Sequence, residues 1–93
     1  MVTHFVLLRF TEPADAVEAK TRLETLATDV PSVRRLDVHL DDLGSPTGHH
    51  LALVTTHDDV EAYRAYQTHP AHVAVFDWLR PRLSDRAVVD TTG

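Results

Sequence analysis

The stretch VTHFVLLRF, residues 2–10, is apolar on both of its alternating faces: Val2, Val6, Leu8 and Phe10 fall on one, Phe5 and Leu7 on the other. Successive side chains of a strand point to opposite sides, so this segment reads as a strand covered from both directions. A chain of 93 residues is one small domain, and small domains bury only a modest share of their surface alone. The two-sided first strand therefore sets the question for the rest of the sequence, namely what covers each face.

Working outward, TEPAD (residues 11–15) marks a helix start, with Pro13 suited to a first helical position and Asp15 to the first turn near the positive end of the dipole. Ala16, Ala19, Leu23, Leu26, Ala27 and Val30 then recur at three- and four-residue steps as one apolar stripe. Pro31 ends it, because the residue before a proline is pushed out of helical conformation. Leu36, Val38 and Leu40 alternate with Arg35, Asp37 and His39, predicting a second strand over 33–40 with one polar face. DDLGSPTG (residues 41–48) lacks periodicity and reads as a loop.

A third strand is predicted over 50–56. Thr56-His57-Asp58-Asp59 then offers capping residues before a short helix carrying Val60, Tyr63, Tyr66 and Gln67. His69-Pro70 breaks that helix and opens another, whose stripe holds His72, Val75, Phe76 and Leu79 and which Pro81 ends. A last strand runs through Ala87, Val88 and Val89. This order predicts an α+β domain over residues 1–93, a ferredoxin-like protomer with a four-stranded antiparallel sheet and helices on one face. The uncovered face calls for a homodimer.

Composition removes several classes of function. There is no cysteine, hence no disulfide, thiolate nucleophile or thiolate metal site. The formal charge of −5 with no basic run disfavours nucleic acid. No apolar run approaches the roughly 20 residues of a membrane span. The amino-terminal segment lacks a basic leader and a small-residue cleavage site, which points to a cytoplasmic protein. No glycine-rich phosphate loop and no ligand-spaced acid–histidine set is present, so neither a metal nor an organic cofactor is expected.

YQTHPAHV, residues 66–73, concentrates the remaining chemistry. Pro70 leaves the amides of Ala71, His72 and Val73 without intrahelical acceptors, so a helix amino terminus points into this corner. His72 in that first turn, facing inward with its apolar stripe-mates, is disfavoured as a cation and so becomes a usable general base near pH 7. Tyr66, one turn before the break, can donate its phenol hydrogen to a substrate oxygen, and His69 holds the cap position. The same residues also fit a satisfied buried pair that merely pins the junction. A histidine pair at this spacing lacks the third protein ligand a zinc site wants. His4 shares parity with Val6 and Leu8, and His50 with Ala52 and Val54, so both could line one cavity. His39, His49 and His57 read as ordinary loop or edge residues.

THFVLLRF, YQTHPAHVAVFD and the VVD near the end together resemble the stress-responsive dimeric α/β-barrel family over nearly the whole chain. The resemblance implies a protomer whose sheet packs on a second copy to close a dimeric α+β barrel. Within the family, the chain is similar to polyketide cyclases of the olivetolic acid cyclase type, which work without a cofactor and perform an intramolecular aldol condensation. That similarity implies Tyr66 and His72 as catalytic residues, with His4, His50 and His69 in the pocket; Val75 and Phe76 complete the expected substrate-contacting set. Ala74 and Phe76 stand where those cyclases carry glycines, which implies a narrower or differently shaped cavity. The expected partner is a small apolar or polyketide-like molecule, either turned over or, alternatively, only bound by a non-catalytic stress-responsive barrel.

Overall fold

The computed structural model describes residues 1–93. In chain order the elements are β1 (Val2–Phe10), α1 (Asp15–Glu24), α2 (Leu26–Asp29), β2 (Arg35–Leu40), β3 (Leu51–His57), α3 (Val60–Thr68), α4 (Pro70–Leu79) and β4 (Leu83–Thr92), with a 3-10 turn at Arg80–Arg82 leading into β4. The strands form one antiparallel sheet in the order β2-β3-β1-β4. This is the ferredoxin-like α+β arrangement that the order of elements predicts.

The most apolar segment takes the centre of the sheet. β1 pairs with β3 on one side and β4 on the other, so that Val6 lies opposite both Leu53 and Val88. Val6, Leu8 and Phe10 of β1 meet Leu51 and Leu53 of β3 and Val38 of β2, beneath Ala16, Ala19, Leu23, Leu26 and Val30 of the first helical layer. Tyr66 of α3 and Leu79 of α4 complete this core.

The apolar stripe of the first helical segment is not one helix. The Thr25 hydroxyl donates to the Arg22 carbonyl at 2.7 Å, and the amides of Thr28 and Asp29 both turn to the Thr25 carbonyl. This tight turn separates α1 from α2 and leaves Ala27, expected on the stripe, exposed. Pro13 lies in the turn before α1 rather than at its first position, its carbonyl accepting from the Ala16 amide. At α3 the expected cap is present: Asp59 accepts from the Ala62 amide at 2.8 Å.

The other face of the sheet has no helix on it. Phe5 stands between Val54 and Val89, and Leu7 between Ala52 and Ala87, forming two apolar rows across three strands. Phe5 and Leu7 are each 42% exposed and Val89 59%. Polar groups flank the rows, with Asp37 and His39 of β2 opposite Val54 and Ala52.

The contrast between the core and the exposed side of the helical layer gives a stability prediction. Leu8→Ala, which empties a fully buried site, is expected to lower the free energy of unfolding by about 2–5 kcal/mol. Val17→Ala on the exposed side of α1 should change it by less than about 0.5 kcal/mol. Urea unfolding followed by circular dichroism measures both.

Candidate active site

The site is built at the junction of α3 and α4, where the chain turns at His69. That residue is extended (φ −64°, ψ 137°), closes α3 and opens α4, and places Pro70 at the first helical position of α4. The turn is held by its own ring, whose Nδ1 accepts from the Ala71 amide at 3.0 Å, while the His69 amide donates to the Tyr66 carbonyl. His69 thus acts as an N-cap made from an imidazole, satisfying one of the amides a helix start leaves free.

The break brings the last turn of α3 against the first turn of α4. The Tyr66 and His72 rings meet edge to face, 4.6 Å between centroids, and His72 stacks in turn on Phe76 at 5.1 Å. Tyr66 is buried to 1% exposure, yet its hydroxyl has no hydrogen-bond partner. Burial pushes its pKa above the usual phenol value, with the neighbouring Tyr63 adding to the effect and Arg86 opposing it. The phenol therefore stays protonated, a donor with nothing to donate to. Burial also lowers the His72 pKa, against the raising effect of the Gln67 backbone carbonyl and with nearby His4 and Arg86 lowering it further. An imidazole depressed from 6.5 is neutral at pH 7 and carries one basic nitrogen.

Beside this pair lies a second group of polar side chains. His4 of β1 faces Asp90 of β4 across the sheet, and its Nδ1–H donates to the Asp90 carboxylate. The Tyr63 hydroxyl, 3.0 Å from the same ring nitrogen, donates to the other Asp90 oxygen at 3.3 Å and accepts from Gln67 Nε2 at 3.0 Å. This arrangement fixes the His4 tautomer and leaves Nε2 as the open position of the ring. Burial, reinforced by Asp90, pushes the Tyr63 pKa up to about 12, so it too remains a donor.

His57 contradicts its reading as an ordinary loop residue. It is the last residue of β3, fully buried, with its ring 4.9 Å from that of Tyr66. Its Nδ1–H donates to the Ser32 carbonyl at 3.0 Å, and its Nε2 accepts from the Thr55 hydroxyl at 2.9 Å. Both nitrogens are occupied by a neutral ring, and burial lowers its pKa accordingly. His57 supports the floor of the site. Its parity with Leu51, Leu53 and Thr55 is the signal that places it inward. Tyr63 and Asp90 were likewise not singled out; the alignment of Asp90 with His4 becomes visible only once β1 and β4 are paired.

A cavity of about 220 Å³ opens from this corner, lined by Gln67, His72, Val73, Phe76, Arg80 and Arg86. His72 and Phe76 thus reach it; Tyr66, buried against the His72 ring, is not part of its lining, and Val75 packs against the core. His50 does not share a cavity with His4. It lies just before β3 at the far end of the β1–β3 pair, where its Nδ1 accepts from the Phe10 amide at 2.9 Å. There it lines a separate cleft of about 480 Å³ with Arg9, Pro13, Asp41 and Pro46. Parity misled because His50 precedes β3: alternation with Ala52 and Val54 assigns it to the helix-free face, whereas its ring stacks on the buried Phe10 and lies beside Pro13 and Ala16 on the helical side. No three His, Asp or Glu side chains come together as a metal-binding set.

Comparison with known proteins agrees with this architecture. A dimeric ferredoxin-like protein of unknown function from Thermobifida fusca YX is 29% identical and superposes with a TM-score of 0.86, over 99% of this chain and 90% of that one. A dimeric protein of unknown function and ferredoxin-like fold from Bacteroides fragilis NCTC 9343 is 25% identical with a TM-score of 0.85, over 99% of this chain and 95% of that one. The hydroxynitrile lyase of Passiflora edulis shares the fold at 16% identity, TM-score 0.81, over 97% and 90% of the two chains. A search of curated protein sequences finds no match. The sequence profile of the Stress responsive A/B Barrel Domain matches residues 2–92, and the chain belongs to that family.

Proposed function

We propose that the protein is a cofactor-independent acid–base enzyme of the cyclase or lyase type, acting on a small polyketone-like substrate with an acidic carbon. The observation that carries this reading is the Tyr66 hydroxyl, buried without a partner and adjacent to a neutral His72. A buried donor left unpaired costs about 1–3 kcal/mol, so it is a feature that calls for a reason. A substrate oxygen supplies one, since a donor waiting in a fixed position needs no reorganisation when negative charge develops.

The chemistry follows from these two residues. His72 takes a proton from the carbon next to a carbonyl, and the carbonyl oxygen, becoming an enolate, accepts the hydrogen bond from Tyr66. The electron pair released from the C–H bond forms a new C–C bond to a second carbonyl of the same molecule, and the proton on His72 passes to the alkoxide that results. Phe76 and Val73 supply an apolar wall. That a hydroxynitrile lyase is built on this fold in Passiflora edulis agrees with the fold accommodating bond-making or bond-breaking chemistry.

The open face of the sheet supports assembly as a homodimer, as in the Thermobifida fusca and Bacteroides fragilis proteins. Burying the rows centred on Phe5 and Leu7 gains about 25 cal/mol per Å² of apolar surface. Leu7→Glu places a charge in the middle of that face and is expected to give a monomer in light scattering, where the unaltered protein runs at twice the chain mass. A monomeric unaltered protein would overturn the assembly.

Tyr66→Phe separates a functional hydroxyl from a structural one. It removes an unsatisfied buried group without changing shape, so the variant should be more stable than the parent by about 1 kcal/mol and slower by about 10²- to 10³-fold. His72→Ala should lower turnover by about 10²- to 10⁴-fold. The pH–rate profile should fall on the acid side with a midpoint below 6.5 as His72 is protonated. On the alkaline side it should show no loss near pH 10 from ionisation of Tyr66, whose pKa is raised above that value. Stable, fully folded variants that turn over candidate polyketones at the parental rate would remove Tyr66 and His72 from the catalysis, and a parent that binds such molecules without turning them over would leave the pocket as a binding site only.

A further inference from the structure

The cavity beside His72 has two features that the acid–base chemistry does not use. Arg80, in the turn after α4, and Arg86, on β4, both line it. Their guanidinium carbons lie 5.8 Å and 4.9 Å from the centroid of the same Phe76 ring. Neither takes part in a salt bridge or a side-chain hydrogen bond, although the chain carries fourteen acidic residues against nine basic ones. Acidic side chains are not scarce for arginines elsewhere: Arg22, Arg34 and Arg35 each pair with a carboxylate. Two unpaired cations lining one small cavity beside one aromatic ring repel each other, and an anion bound in that cavity offsets the repulsion. Guanidinium groups are well suited to the task, because their planar forks match a carboxylate and make strong charge-assisted hydrogen bonds.

We infer that the cavity takes an organic carboxylate, with its charge at Arg80 and Arg86 and its apolar or aromatic body against Phe76 and Val73. This deepens the functional reading above and rests on it only for orientation: with the carboxylate at the arginines, the rest of the molecule extends toward His72, which lines the same cavity. A second requirement follows from the cavity volume of about 220 Å³, which suits a body of one ring or a short acyl chain.

Binding can be tested without turnover by NMR titration, using benzoate and its uncharged counterpart benzamide as probes. Benzoate is expected to shift the signals of Phe76 and the Arg86 side chain and to bind at least tenfold more tightly than benzamide, with the preference shrinking as salt is added. Arg86→Gln should reduce the preference to within about threefold while leaving benzamide affinity unchanged, and Arg86→Lys should retain most of it. Inorganic phosphate at matched ionic strength should not displace benzoate, since it has no apolar body for Phe76. Tyr66→Phe, which disables the proposed chemistry, should keep the preference, so that failure of the catalytic reading and failure of carboxylate recognition are told apart. Equal affinities for the two probes, no benzoate binding up to its solubility limit, an Arg86→Gln protein with the parental preference, or displacement by phosphate would each overturn the inference.

Discussion

The antiparallel pairing of β1 between β3 and β4 is the constraint on which the rest of the structure depends. Side chains alternate across a sheet, so a register slip of one residue would send every β1 side chain to the opposite face. Val6, Leu8 and Phe10 would leave the core, and His4 would leave Asp90 for the face that carries Phe5 and Leu7. The core and the polar group around His4 are therefore specified by the same apolar alternation. One consequence is that much of the site sits on strands and helices rather than on loops, where packing holds side chains in place.

The second constraint is the break at His69-Pro70. A continuous helix would carry Tyr66 and His72 more than a turn apart along one axis; the break folds the two turns together and lets the rings touch. Its cost in free amides is offset locally by the His69 ring and carbonyl, which take the Ala71 and Val73 amides. Around it the polar groups are satisfied with care: both nitrogens of His57, Nδ1 of His4, both oxygens of Asp90 and the hydroxyl of Tyr63 all have partners. Two buried side-chain atoms stand apart from that background without partners, the Ser32 hydroxyl and the Tyr66 hydroxyl, and of the two only Tyr66 has its ring against His72. Local rules of polar satisfaction are broken where function requires it more often than elsewhere.

The sequence made the architecture legible because its signals were local. The bounds of β1, the inward stripe of α1 and α2, the His69-Pro70 break and the Asp59 cap all follow from periodicity or from a single residue's backbone preference. Half of the site was legible in the same way, since Tyr66 and His72 are six residues apart across a visible break. The rest depends on pairings between distant segments. His57 was missed because it was grouped with the capping residues after it instead of with the strand before it. His50 was given the face of Ala52 and Val54, but it lies before the strand begins, where alternation no longer holds, and at the end of the sheet opposite His4. Asp90 and Arg86 reach the site only through the docking of β4 beside β1 and α4, and nothing in their immediate neighbours announces this, whereas Arg80 reaches Phe76 by local spacing, four residues on along the end of α4.

Charge placement ties the two halves of the site together. Arg86 lies close enough to His72 to lower its pKa and close enough to Tyr66 and Tyr63 to oppose the raising of theirs. In the empty cavity this cation and burial act in the same direction on His72 and keep the imidazole neutral. Burial is the largest of these effects on His72 and the Arg86 charge the smallest, so the neutral imidazole follows from where the ring packs more than from any one charge. A general base is most effective when its proton affinity is matched to the moment of transfer. His72 is accordingly kept in its neutral, basic form by the packing of α4 against α3, the same junction that sets its ring against Tyr66.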